Sequence, residues 1–367
     1  MKFTINREAL LKRLQLVAGV VERRQTLPVL SNILVVVDEN RLSLTGTDME
    51  VELVGHAVLD DVSESGEITV PARKLMDICK SLPENTLIEF SLDDQRVRLK
   101  AGRSRFTLST LPASDFPNTE EESDSLTFTI NQASLRRLID QTGFAMAQQD
   151  VRYYLNGMLL DVQQNQLRCV ATDGHRLSMC TVEADICQDS SHQVIVPRKG
   201  ILEMARLLTE GDDSVRISLG ANHIRATTGD FIFTSKLVDG KFPDYSRVLP
   251  RGGDKVLVGD RQQLRQAFQR ASILSNEKYR GVRLILSDGL LKIVANNPEQ
   301  EEAEEELPLS YEGESMEIGF NVSYLLDVLS VLSGDSVKVT LSDPNSSALL
   351  EEVEGGDSLN VVMPMRL

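Results

Sequence analysis

The chain has no G-x-x-x-x-G-K-[ST] loop. Its lone Gly240-Lys241 pair has Ser235 where the first glycine belongs and Phe242 where Ser or Thr is needed, which argues against ATP hydrolysis. Histidine and cysteine are scarce. His56, His175, His192 and His223 include no H-E-x-x-H and form no zinc set, so no metal or other cofactor is expected. Cys79, Cys169, Cys180 and Cys187 show no C-x-x-C spacing and read as small buried or incidental thiols. Neither an apolar run of about 18 residues nor a signal peptide is present, so a cytoplasmic, reduced protein without a membrane span is expected. Asp173-Gly174-His175-Arg176 invites a search for a catalytic triad, yet no nucleophile elbow accompanies it, and the tetrapeptide reads as a turn between strands.

Positive charge is also short. The 367 residues hold 39 Lys and Arg against 55 Asp and Glu, a formal net charge of -16, and so acidic a chain repels phosphate unless its charges are segregated. The length suffices for two or three domains, each with a core of its own.

What the chain does have is repetition. Phe3-Thr4-Ile5-Asn6 returns as Phe128-Thr129-Ile130-Asn131, and each string leads into a helical stripe: Leu10, Leu14, Val17 and Val21 after the first, Leu135, Leu138 and Ile139 after the second. Thr69-Val70-Pro71 precedes Leu75, Ile78, Cys79 and Leu82, and is answered by Ile195-Val196-Pro197 before Ile201, Met204, Ala205 and Leu208. Each proline falls where a first helical turn tolerates a missing N–H, and a weaker echo without proline runs from 318 to 332. Phe116-Pro117 and Phe242-Pro243 close the first two copies, and the short alternating runs between helices read as antiparallel strands. Boundaries near 125 and 250 give domains 1–125, 126–250 and 251–367, joined by an acidic linker at 119–125 and a Pro/Gly-rich one at 250–254. The predicted class is α+β: three repeated domains of one plan, each with two helices and antiparallel sheets.

The shortage of positive charge is uneven. Residues 1–125 hold 15 basic against 21 acidic side chains, 126–250 hold 13 against 14, and 251–367 hold 11 against 20. Yet the six predicted helices (7–18, 72–80, 132–142, 197–208, 261–273 and 321–332) hold 14 against 5. Their bases are in register between copies, Lys12 with Arg137, Arg73 with Lys199 and Lys80 with Arg206, each opposite its apolar stripe. A solvated face explains any one of these; the repetition favours a shared surface for a phosphate backbone bound without base reading. In the third copy Ser323, Ser330 and Gln266 replace Arg73, Lys80 and Lys12, although Arg261, Arg265 and Arg270 keep its first helix basic. A basic cluster (Arg96, Arg98, Lys100, Arg103, Arg105) in the first domain and an acidic one (Glu299, Glu301, Glu302, Glu304, Glu305, Glu306) in the third fit a head-to-tail contact between two chains.

Five strings carry a family resemblance: residues 149–157 (Gln149 to Gly157), 171–177 (Ala171 to Leu177), Phe242-Pro243-Asp244-Tyr245, Ser275-Asn276-Glu277-Lys278, and the terminal Val362-Met363-Pro364-Met365-Arg366-Leu367. Through them the chain resembles the bacterial DNA polymerase III beta-subunit family, the DNA sliding clamps, over essentially its whole length. The resemblance implies a homodimeric ring of clamp domains whose inner helices surround duplex DNA and hold it by topology rather than tight binding. It implies DNA contacts at Arg24, Arg73, Gln149, Tyr153 and Tyr154, to which the charge register adds Lys199 and Arg206. It also implies a partner-peptide groove of Leu155, Thr172, Gly174, His175, Arg176, Leu177, Pro243, Arg247, Val248, Asn321, Tyr324, Ser347, Val361, Met363, Pro364 and Met365, with Asn345 departing from the small apolar residue expected beside it. At the ring seam Ile273 and Leu274 would pack on Phe106 and Leu108 of the second chain, flanked by Lys74, Arg96, Arg103 and Arg105 and by Glu299, Glu301, Glu302, Glu304 and Glu305.

The implied function is processivity without catalysis. The implied partners are an ATP-driven clamp loader, replicative, repair and translesion polymerases, and ligase and mismatch-repair proteins. Two other classes stand against this reading: a hydrolase or transferase using Asp173 and His175, and an acidic peptide-binding scaffold that ignores DNA.

Overall fold

The structure, a computed structural model, describes residues 1–21, 27–117, 125–186 and 191–366. Among these lie six α-helices: α1 (Arg7–Val17), α2 (Ala72–Ser81), α3 (Gln132–Thr142), α4 (Arg198–Leu207), α5 (Arg261–Ser272) and α6 (Val322–Val331). The repeated string is the strand that launches a first helix, as Lys2–Asn6 does for α1 and Leu126–Asn131 for α3. In the first copy its asparagine is the cap, Asn6 Oδ1 accepting from the Glu8 amide at 2.9 Å. Asp260 and Asn321 cap α5 and α6 in the same way, accepting from Gln263 N at 2.7 Å and Ser323 N at 2.9 Å. Pro71 and Pro197 sit one residue earlier than the first helical turn, because each still pairs as the last residue of a strand, opposite Asn32 and Gly157.

The chain forms two compact units, Met1–Ala133 with Lys199–Leu237, and Ser134–Arg198 with Val238–Leu367. Every ladder in both is antiparallel. The first unit holds an eight-stranded sheet in which Phe231–Lys236 of the central repeat pairs with Val51–Val58 of the first, Phe233 opposite Leu53. The second holds an eight-stranded sheet in which Arg176–Glu183 pairs with Ser358–Val362, Leu177 opposite Val361. Sheets therefore continue from one repeat into the next. The central repeat contributes strands to both units.

Each unit also has a smaller sheet. The five-stranded one ends on the edge strand Ser104–Ser109, and the four-stranded one on Glu302–Pro308. Helices cover the sheets through the predicted stripes: α1 buries Leu10, Leu14 and Val17, α2 buries Ala72, Leu75 and Cys79, and α6 buries Val322, Leu325, Val328 and Leu329. At about 1.5–3 kcal/mol for each large aliphatic side chain fully buried, these stripes outweigh the weak intrinsic preferences of helices this short.

Candidate peptide groove and nucleic-acid face

The floor of the groove follows from strand pairing in the second unit. Leu177 and Val361 are opposed on neighbouring strands and buried, as is Leu155. Leu159, Val170, Leu177, Met179, Ile195, Phe242 and Val361 form one apolar cluster, with Tyr154, Val248 and Leu349 packed partly buried against it. The chain then leaves the sheet as an extended terminal segment, tied by Met363 N to His175 O and by Met365 N to Gly319 O, both at 2.9 Å. Met363 stays 38% exposed above the buried floor, which is the profile of an apolar surface that accepts a ligand.

One wall is the turn between Gln166–Thr172 and Arg176–Glu183. Asp173 Oδ1 accepts from the amides of His175 (2.9 Å) and Arg176 (3.0 Å), and the Thr172 hydroxyl accepts from Gly174 N at 3.1 Å. Gly174 has φ +88, a left-handed conformation that residues with a Cβ rarely adopt, so the turn favours glycine there. Arg176 joins this turn to α6: its guanidinium donates to Asp173, Asp327 and the Phe144 carbonyl, and lies 4.6 Å from the centroid of the Tyr324 ring. His175 in turn stacks on Tyr324, centroids 6.4 Å apart. Asp173 is thus committed to two amides and an arginine, and the hydrolase reading has no support in the geometry.

Thr172, Gly174, His175, Arg176, Leu177, Tyr324, Val361 and Met363 are thereby brought together. Asn321 caps α6, Ser347 is half-buried, and Asn345 is exposed with its amide on Asp343. Pro243, Arg247 and Val248 lie on a separate stretch that packs on the same cluster through Val248.

The loop before the groove is a built structure. Asn156 closes it, donating to Asp150 O and accepting from Asp150 N, both at 2.9 Å. The Arg152 guanidinium holds the Asp150 carboxyl down to about 2. Gln149 takes a left-handed φ of 56 and is exposed, and Tyr153 is 56% exposed beside Tyr154. Such a loop offers an amide and an aromatic ring to a base or sugar.

The helix bases divide. Lys199 pairs with Asp48, Arg137 with Asp357 (2.8 Å), Lys12 with Asp230 (3.4 Å) and Arg206 with Glu203 (2.7 Å). Burial pushes the Asp48 carboxyl up, but hydrogen bonds from Lys199 and from the amides of Val51 and Glu50 outweigh it and hold it below the usual range. Arg73 and Lys80 are exposed and meet no carboxylate among the described residues. Arg24 lies outside the described residues.

At the predicted seam, Ile273 is 74% exposed beyond the end of α5, so it is not core of its own helix; Leu274 and Phe106 are half-buried and Leu108 is buried. Lys74, Arg96, Arg103 and Arg105 are exposed without carboxylate partners among the described residues, whereas Arg98 and Lys100 are spent on Asp93 and Glu89. On the acidic edge Glu304 takes Lys292 and Glu305 takes Arg270, and Glu301 accepts from Asn297 at 2.7 Å, while Glu299 and Glu302 are exposed. Of the cysteines, burial pushes the Cys79 thiol up to about 12 and Cys180 to about 11, and raises Cys169, so all three are inert; Cys187 lies outside the described residues. No helix among the described residues is long and apolar enough to cross a membrane. Sequence reasoning missed Phe144 and Asp327 as partners of Arg176, and nothing in their local sequence marks them. It also left Tyr245 unassigned, although that residue ends one of the five strings.

Three family models match consecutive stretches of the chain: the DNA polymerase III beta subunit N-terminal domain over 1–120, its central domain over 129–244 and its C-terminal domain over 246–366. The beta sliding clamp of Pseudomonas aeruginosa is 71% identical over 367 residues, 100% of each chain. A crystal structure of the DNA polymerase III subunit beta from that organism matches with a TM-score of 0.98 at 70% identity, again over 100% of each chain. A sliding clamp of Pseudomonas aeruginosa bound to griselimycin matches at 71% identity with the same TM-score of 0.98 and the same coverage.

Proposed function

The chain belongs to the DNA polymerase III beta-subunit family, and from that premise we propose that two copies close head to tail into a ring around duplex DNA. Its function is that of a sliding clamp, a non-catalytic processivity factor for DNA polymerase III. The run of three consecutive clamp-domain matches over nearly the whole chain carries this conclusion.

The proposed domain boundaries near 125 and 250 are supported by the limits of the three matches, 1–120, 129–244 and 246–366. The seam joins the edge strand Ser104–Ser109, which carries Arg105 and has Arg103 and Arg96 beside it, to the acidic edge strand Glu302–Pro308 of the second copy, with Ile273 and Leu274 meeting Phe106 and Leu108. An unpaired sheet edge invites such an addition, and unlike edges on opposite ends of a chain make the contact heterologous. Arg73, Arg24 and the 149–154 loop meet phosphate, sugar or exposed base, with Lys199 and Arg206 adding field rather than free charge. The groove takes short peptides from the clamp loader, the polymerases, and ligase and mismatch-repair proteins in the cytoplasm, and it is the seat for griselimycin on this chain.

Topology gives the decisive test. The loaded protein is expected to stay on closed circular DNA and to leave within the dead time once the circle is cut linear. Equal retention on both forms would sink the ring.

A further inference from the structure

Residues 239–249 carry three residues of the proposed groove, Pro243, Arg247 and Val248. The backbone bonds of this stretch are internal: Arg247 N donates to Asp244 O at 3.3 Å and Val248 N to Tyr245 O at 3.1 Å. Its Ser246 and Arg247 side chains reach only Asp244. Phe242, Val248 and Leu249 pack on the apolar cluster, yet apolar contact is non-directional and does not fix where along a surface a segment sits.

Among the described residues, one group ties the stretch to the sheet by hydrogen bonds. The Tyr245 hydroxyl donates to Asp161 Oδ2 at 2.7 Å and accepts from Arg168 Nη1 at 2.9 Å. Asp161 and Arg168 oppose each other on the adjacent strands Gly157–Gln163 and Gln166–Thr172. Asp161 is 1% exposed, with Gln163 Nε2 also donating to Oδ2 at 2.9 Å, and Arg168 Nε donates to Thr181 Oγ1 at 3.0 Å on the next strand. The hydroxyl therefore stands between a carboxylate and a guanidinium that dictate its direction, and bonds to charged groups are the stronger kind.

We infer that Tyr245 is a positioning residue for the peptide groove: held between Asp161 and Arg168, it fixes the placement of the wall formed by Pro243, Arg247 and Val248. The inference rests on the groove reading above. Tyr245 itself is not among the groove residues, so its effect on a bound peptide passes through the wall.

Griselimycin titrated by calorimetry into the full-length protein tests this, using Tyr245→Phe, Val248→Ala and the double variant. Tyr245→Phe is expected to weaken binding roughly tenfold, the scale of one hydrogen bond to a charged group. Val248→Ala weakens it as well, and adding Tyr245→Phe to Val248→Ala costs clearly less than in the wild type, because the part of the loss that passes through Val248 is already gone. The same fold-loss from Tyr245→Phe in both backgrounds, or no loss in the wild-type background, overturns the assignment. Unchanged binding by Val248→Ala shows instead that the groove reading is at fault, and the inference falls with it. Should Tyr245→Phe not fold, Asp161→Asn weakens the same tie while keeping an acceptor oxygen; its loss must likewise shrink in the Val248→Ala background, and an undiminished loss there overturns the assignment.

Discussion

The second helices of the first and third repeats follow equivalent strands and bury equivalent stripes, yet their outer faces carry different chemistry. α2 presents Arg73, Lys74 and Lys80, with Asp77 its only acid, and none of the three bases meets a carboxylate among the described residues. α6 has no base at all; its outer face gives Tyr324 and Asp327 to Arg176. Both helices are held by apolar residues spaced three and four apart, which leaves the remaining positions free to diverge. One template carries unpaired bases in one copy and an arginine-binding pair in the other, which on the proposed reading serve phosphate and the peptide groove.

The largest effect expected comes from breaking the α6 side. Arg176 has a side chain only 12% exposed and satisfies two carboxylates and a carbonyl. Arg176→Ala leaves Asp173 and Asp327 without their shared cation and, with Asp327 45% exposed to water, should cost about 2 kcal/mol, the scale of hydrogen bonds to charged groups. Chemical denaturation of the second unit would register it, together with loss of griselimycin binding. A variant as stable as the wild type would mean that α6 is held by its stripe alone.

The α2 side breaks differently. Arg73→Glu with Lys80→Glu removes no internal partner, so stability should hold while affinity for linear duplex falls. The slope of log K against log salt should drop by about one unit for each phosphate no longer neutralised. Lys199→Glu sharpens the contrast: it strips Asp48 of its cation, so melting temperature should fall along with DNA affinity. If Arg73 and Lys80 also proved essential for folding, the distinction between a solvated basic face and a paired one would collapse.

This division marks how far the sequence could be read. Asn6, Asp260 and Asn321 announce helix starts, and the stripes announce which faces are buried, because both depend on residues within one turn of each other. Lys199 and Asp48, or Arg137 and Asp357, are 151 and 220 residues apart, and periodicity carries no information about such pairs. The charge register therefore picked out the basic helices but overcounted the free charges on them. The continuous sheets were hidden for the same reason: Phe233 opposite Leu53 and Leu177 opposite Val361 join strands of different repeats, where internal similarity points each strand back to its own copy. The Tyr245 tie was invisible because a tyrosine in a turn gives no sign of which buried carboxylate it will reach.

A smaller effect separates the repeats by acid. The first repeat holds His56 on the strand beneath α1, with Nδ1 3.1 Å from the Ser43 hydroxyl, Nε2 buried without a partner, and its carbonyl accepting from Arg13 Nε at 3.0 Å. The third repeat has no histidine. Burial first, and then the charge of Arg41, lowers the His56 pKa below its ordinary 6.5. The unfolded chain therefore takes up this proton at a higher pH than the folded one. Stability contributed by neutral His56 is complete above about 6.5 and falls away as pH drops from there through the lowered folded value. His56→Gln should flatten the stability of the first unit across this window and leave the response of the second unit unchanged. If the slope near pH 6 survives the substitution, another group is responsible, and the first repeat's acid sensitivity does not lie beneath α1.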